Sequence, residues 1–202
     1  MTRQERLTDL KRKAIVSAAI EQFQSNGFAN TSMDKIAAAA EVSKRTVYNH
    51  FASKDALFDE ILQQLWQQTK AAEDQRFDAA KGVDAQLRTI LQSKLELLSQ
   101  PSYLKLARVV LAELIQDPTR AQTVIASIAE KEAGLKLWLR EAVEAGALKC
   151  EDPDMAADLI HGQLKAVAFW PQVTLGIEPP DSTRREQLLD AIITGVVRQY
   201  GV

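Results

Sequence analysis

Between Ile15 and Tyr200 the apolar residues of this chain recur three or four positions apart almost throughout. No stretch shows the alternation of a half-buried strand, so the chain is constrained to an all-α fold. Breaks fall at Gly, Pro and Ser/Asp clusters. Ile15, Ala19 and Phe23 mark a first helix, roughly Thr8 to Asn26, with Gly27 where a left-handed helix end is usual. Thr31 and Ser32 offer caps for a second helix, with Asp34 completing a capping-box pattern from Thr31. Its apolar stripe is Met33, Ile36, Ala37 and Ala40. Glu41 and Val42 form a tight turn, and Ser43 caps a third helix with Val47 and Phe51 facing inward. Ser53 caps a fourth, which buries Leu57, Phe58, Ile61 and Leu65.

Later helices are expected over Asp84 to Leu98, Ser102 to Ile115, Thr119 to Ala145 with a break near Gly134, and Thr183 to Tyr200. One more should start at Pro153, capped by Asp152, and reach Leu175 with a bend at Pro171. The last should open with the capping pair Thr183 and Glu186. About nine helices result.

The 202 residues hold enough apolar side chain for one sizeable core or for a small domain plus a larger one. No run approaches the roughly 18 apolar residues of a membrane span, so no membrane partner is expected. The basic N-terminus lacks an apolar core segment, and a secretory signal is not expected. Cys150 is the single cysteine, which fits a reducing cytoplasm. The net charge of -2 hides an asymmetry. Through Ala56 there are nine basic and six acidic residues, a net of +3; the rest holds 16 basic and 21 acidic, a net of -5. A basic head on an acidic body suits a polyanion met by the head alone.

Two short helices joined by a tight turn read as a helix-turn-helix. The N-terminal residues of its second helix would meet base edges in the major groove. Here those are Lys44, Arg45 and Thr46. Lys and Arg donate to guanine O6 and N7, and Thr packs on thymine or hydrogen-bonds. Tyr48, Asn49 and His50 suit phosphate oxygens, as does Lys54 at the start of the fourth helix.

Residues Ile15 to Leu57 resemble the TetR/AcrR family of bacterial transcriptional regulators. The matching pieces are "IVSAAIEQF" ahead of Gly27, then "TSMDKIAAAAEVSKRTVYNHF" and "SKDALF". The resemblance implies that Lys44, Arg45, Thr46, Tyr48, Asn49, His50 and Lys54, with Ser43, Thr31 and Ser32, form the DNA-facing set. It implies a helix-turn-helix head over residues 1–53 and a ligand-binding and dimerisation domain over residues 54–202. Glu41 departs from it, standing where the family usually has Gly in the turn. If that site needs positive φ, Glu costs about 1–2 kcal/mol there. "GALKCEDPDMAADLIHGQLKA" looks like the ligand-domain segment ahead of the final two helices. Family members bind double-stranded DNA as homodimers and take small, often apolar effectors.

For the dimer surface the sequence nominates Leu159, Gly162, Ala166 and Phe169 on one helix and Leu189, Ile192, Val196 and Tyr200 on the other. Gly162 and Gly195 would permit close helix approach. Trp66, Tyr103, Trp138, His161, Phe169 and Trp170 are the candidates for an apolar ligand pocket. Cys150, Asp152 and His161 lack a partner at metal-ligand spacing, and no nucleophile has a base nearby, so no metal, cofactor or catalytic residue is assigned. The expected function is a ligand-responsive repressor released from a pseudo-palindromic operator. The alternative is a helical interaction protein or enzyme carrying a degenerate head.

Overall fold

In the computed structural model, residues 3–71, 75–129 and 134–202 are described. They fold into α1 (Arg3–Asn26), α2 (Met33–Ala39), α3 (Lys44–His50), α4 (Lys54–Ala71), α5 (Val83–Leu98), α6 (Pro101–Gln116), α7 (Pro118–Ala129), α8 (Gly134–Glu144), α9 (Pro153–Ala168), α10 (Trp170–Leu175) and α11 (Ser182–Tyr200). The only β pairing among the described residues is an isolated bridge, Leu148 with Gly201. There are eleven segments rather than nine for two reasons. The stretch expected as one helix over Thr119 to Ala145 holds α7 and α8, with residues 130–133 outside the described residues. The stretch expected to reach Leu175 divides at Phe169, whose φ of -136° and ψ of -60° leave the helical region two residues before Pro171.

Two compact units result: residues 1–66 with 105–122, and residues 67–104 with 123–202. In the first, Ile15, Ala19 and Phe23 of α1 pack with Ile36, Val47, Phe51, Leu57, Phe58 and Ile61. Leu106, Val109 and Val110 of α6 close the same core. The two seven-residue helices of the helix-turn-helix are too short to persist alone. They are held because α1, α4 and α6 bury their inward side chains, each worth about 1.5–3 kcal/mol. The first 53 residues are therefore not self-sufficient: their core is finished by side chains from α4 and α6.

In the second unit, Leu87, Leu91, Leu95 and Leu98 form the buried stripe of α5. Leu135, Trp138 and Leu139 of α8, Ile160 and Leu164 of α9, and Leu189, Ile192 and Val196 of α11 are buried with them. Asp152 caps α9 as expected, accepting from the Met155 amide at 2.9 Å. The cap of α11 is not the expected Thr183. Asp181 accepts from the Arg184 amide at 2.8 Å, and Glu186 is drawn instead to Arg88 at 3.1 Å. A carboxylate in extended backbone outcompetes a hydroxyl already inside the first turn.

The expected dimer face on α11 also needs correction. Leu189, Ile192 and Val196 are spent on this chain's own core, and so is Phe169 on the α9 side. The outward face of α9 carries Met155, Leu159, Gly162 and Ala166, and that of α11 carries Ala191 and Gly195.

Candidate nucleic-acid interface

The helix-turn-helix is built by local hydrogen bonds that the sequence encodes. Ser32 accepts from the Lys35 amide at 3.3 Å and starts α2. At the other end, the Val42 amide donates to the Ala37 carbonyl at 3.1 Å and the Glu41 amide to the Ala38 carbonyl at 3.2 Å. These two bonds are a Schellman motif, and its left-handed residue is Glu41, with φ of 54°. The same motif ends α8, where the left-handed position belongs to Gly146. Ser43 then accepts from the Thr46 amide at 3.1 Å and lies 2.7 Å from the Thr46 hydroxyl.

Val47 and Phe51 are buried, which turns the rest of α3 outward. Lys44, Arg45, Tyr48 and Asn49 are exposed; Thr46 and His50 are half-buried. Lys44 reaches across the turn to Asp34 of α2 at 2.8 Å, and that hydrogen bond raises the pKa of its ammonium. Both partners are largely exposed, so the pair is screened and readily exchanged. The Arg45 side chain makes no hydrogen bond or ion pair among the described residues. Its five N–H donors are open to a ligand.

Two further residues of the expected DNA-facing set, Thr31 and Lys54, are engaged with the α1–α2 connection. Thr31 is 3% exposed, and its hydroxyl donates to the Gly27 carbonyl at 2.8 Å, with the Gln22 carbonyl 3.1 Å away. It closes the C-terminal end of α1, and its expected pairing with Asp34 does not form. Lys54 donates to the loop carbonyls of Phe28 at 2.6 Å and Ala29 at 3.2 Å, and lies 4.4 Å over the Phe28 ring. The expected phosphate ligand is first of all a strap from α4 to the α1–α2 loop. Sequence reading also missed Arg12, which lies 4.7 Å over the Phe51 ring and bonds Glu60 at 2.7 Å. That bond holds the Glu60 carboxyl below its usual range and ties α1 to α4.

Ring contacts among the described residues link some of the six aromatic and histidine candidates for a pocket. Trp66 belongs to the first unit. Tyr103, Phe169 and Trp170 form a chain of rings with centroids 6.4 and 5.1 Å apart. Trp138 packs on Phe77 at 5.6 Å. His161 lies 2.6 Å from Lys94, both buried; desolvation and then the Lys94 charge hold it neutral, its pKa pushed down to about 3. An open groove of about 600 Å³ lined by Arg76, Lys81, Gln86 and their neighbours contains none of the six.

Residues 15–61 match the model of bacterial regulatory proteins of the tetR family. Residues 85–202 match that of the AefR-like transcriptional repressor C-terminal domain. This chain belongs to the TetR family. It is a ligand-responsive, DNA-binding transcriptional regulator. A crystal structure of a TetR family regulator from Pseudomonas syringae pv. tomato is 40% identical, with a TM-score of 0.85 over 100% of this chain and 99% of that one. The regulator RutR of Escherichia coli K12 is 29% identical over 175 residues, 85% of this chain and 80% of RutR. The flavonoid-responsive regulator FrrA has a TM-score of 0.67 at 25% identity, covering 95% of this chain and 97% of FrrA. No helix among the described residues is long and apolar enough to cross a membrane.

Proposed function

We propose that two copies of this TetR-family chain hold a pseudo-palindromic operator, each presenting α3 to the major groove, and that a small apolar effector releases them. The observation that carries this reading is the outward face of α3. Arg45 is open on a helix fixed from behind by buried Val47 and Phe51. Arg45 and Lys44 read base edges, the latter by exchanging Asp34 for guanine; Thr46 lines the same face. Ser32, Ser43, Tyr48, Asn49 and His50 contact the backbone. Lys54 retains one N–H for a phosphate beyond the two it spends internally. The DNA-reading part ends near residue 53, although the core beneath it extends further along the chain.

The second copy is seated on the outward faces of α9 and α11. A Cβ added at Gly162 or Gly195 would meet nothing within 4 Å of this chain. Both glycines therefore leave space for a neighbour rather than for their own core. Exposed Met155 and Leu159 supply apolar area beside Gly162. FrrA's flavonoid response supports a small aromatic effector for a related fold, and the Tyr103–Phe169 pair is the candidate contact. The reading places the protein in the cytoplasm, with its operator, and assigns it no catalytic step; turnover of a bound molecule would contradict that assignment.

The test is a salt titration on duplexes selected by the protein from a randomised pool. Log affinity should fall linearly and steeply with log salt, as several phosphate contacts require. Flat or absent binding at low salt would overturn the reading.

A further inference from the structure

Arg120, distant in sequence from the helix-turn-helix, touches the loop from which that motif starts. It stands in the first turn of α7, where its amide donates to the capping carboxylate of Asp117 at 2.9 Å. Its guanidinium lies 4.1 Å over the Phe58 ring and 5.1 Å over the Phe28 ring. The same group faces three carboxylates: Asp55 at 3.1 Å, Glu113 at 3.4 Å and Asp59 at 3.6 Å. Only 17% of the side chain is exposed. One planar cation thus joins α7, α6, the start of α4 and the α1–α2 loop, all within one compact unit.

Phe28 is the sensitive member of this set. It stands just before Ser32 begins α2, packs on Phe23 and Phe58 at 5.1 and 5.6 Å, and carries the Lys54 ammonium as well. We propose that Arg120 is a positioning residue for operator binding: through Phe28, Phe58 and the α4 carboxylates it holds the helix-turn-helix in the arrangement that DNA selects. The proposal rests on reading α3 as the DNA-contacting helix. A guanidinium stacked on rings and forked between carboxylates is either seated or not, so a shift of the Asp117–Arg120 corner is converted into release of the loop. Both α6 and α7 run on beyond this unit, α6 back to Pro101 and α7 on to Ala129.

The experiment uses the full-length protein, Arg120→Met and Arg120→Lys, and a duplex selected by the wild type. Affinity is measured across a salt series, and amide exchange is followed with and without DNA. Arg120→Met should fold and keep the wild-type salt slope, because no phosphate contact is lost, yet bind about thirtyfold more weakly, the size of one desolvated cation–ring contact. Binding and corner packing are reciprocal, so DNA should slow exchange over residues 113–122 in the wild type and not in Arg120→Met. Arg120→Lys should recover part of both effects. Wild-type affinity in Arg120→Met, or a loss accompanied by a shallower salt slope, would overturn the proposal. If Arg120→Met does not fold, Phe28→Leu and Arg120→Lys decide, and unchanged affinity and protection in both would overturn it. A wild type without salt-dependent DNA binding would overturn the DNA-reading assignment itself, before any variant is compared.

Discussion

Replacing Glu41 by Gly should make this protein more stable, although Glu41 touches nothing that Gly would improve. The argument is in the backbone. Glu41 sits at φ of 54° in the Schellman motif that ends α2. A side chain in that region costs about 1–2 kcal/mol, because Cβ crowds the following carbonyl. Glycine removes the crowding but adds about 0.5–1 kcal/mol of unfolded-state entropy. The expected net gain is about 0.5–1 kcal/mol, or roughly 1–4 °C in Tm for a chain of this size. Glu41→Ala is the control. It removes the carboxylate and keeps Cβ, so it should stay within about 0.5 kcal/mol of wild type. Urea unfolding followed by circular dichroism should show a higher midpoint for Gly at an unchanged m value. If the Gly variant is no more stable than the Ala variant, the backbone account of this turn is wrong. If Ala stabilises as much as Gly, the charge and not the conformation is the cause.

Arg45→Ala should cost about 1–3 kcal/mol on a selected operator and less on random DNA, read by parallel anisotropy titrations; equal losses on both would reassign Arg45 to a phosphate. Lys54→Met should weaken all sequences alike and also lower stability by about 1 kcal/mol, since two loop carbonyls lose their donor; an unchanged melting curve would return Lys54 to the purely DNA-facing set. Glu60 is held below its usual range by the Arg12 hydrogen bond. Its contribution should be complete above about pH 4.3 and be lost as pH falls through the lower folded value, so the gap between wild type and Glu60→Gln should close in acid unfolding curves. His161 works in the same direction for the opposite reason. Held neutral by burial, with its pKa near 3, it leaves the unfolded chain binding the extra proton. Stability should therefore fall as pH drops from about 6.5 toward 3, and its ring resonances should not shift between about pH 5 and 8; a midpoint in that range would contradict the buried, neutral assignment.

What could be read from the sequence was local. Ser32, Ser43 and Ser53 cap the helices assigned to them because a cap and its amide are three residues apart. Val47 and Phe51 had one inward face available, four residues apart, one in the middle of a seven-residue helix and the other at its C-cap. The strain at Glu41 was legible only through the resemblance, which puts Gly at that turn, and the positive φ of Glu41 bears it out. What stayed hidden depended on distant partners. Arg12 meets Glu60 across 48 residues, and Lys54 meets the Phe28 carbonyl across 26. Thr31 looked like a cap because its hydroxyl could serve either the helix ahead or the one behind, and only packing selects the latter. On α11 the buried stripe through Ile192 and the exposed stripe through Gly195 lie side by side, and periodicity alone did not say which one belongs to the chain's own core.

The most direct test of the central claim, that a pair of α3 helices enters successive major grooves, is methylation interference on the selected operator. Modified guanine N7 atoms should block binding in two patches centred about 10–10.5 base pairs apart, or a multiple of that. Interference confined to a single patch, or to minor-groove adenines with the guanines silent, would contradict it.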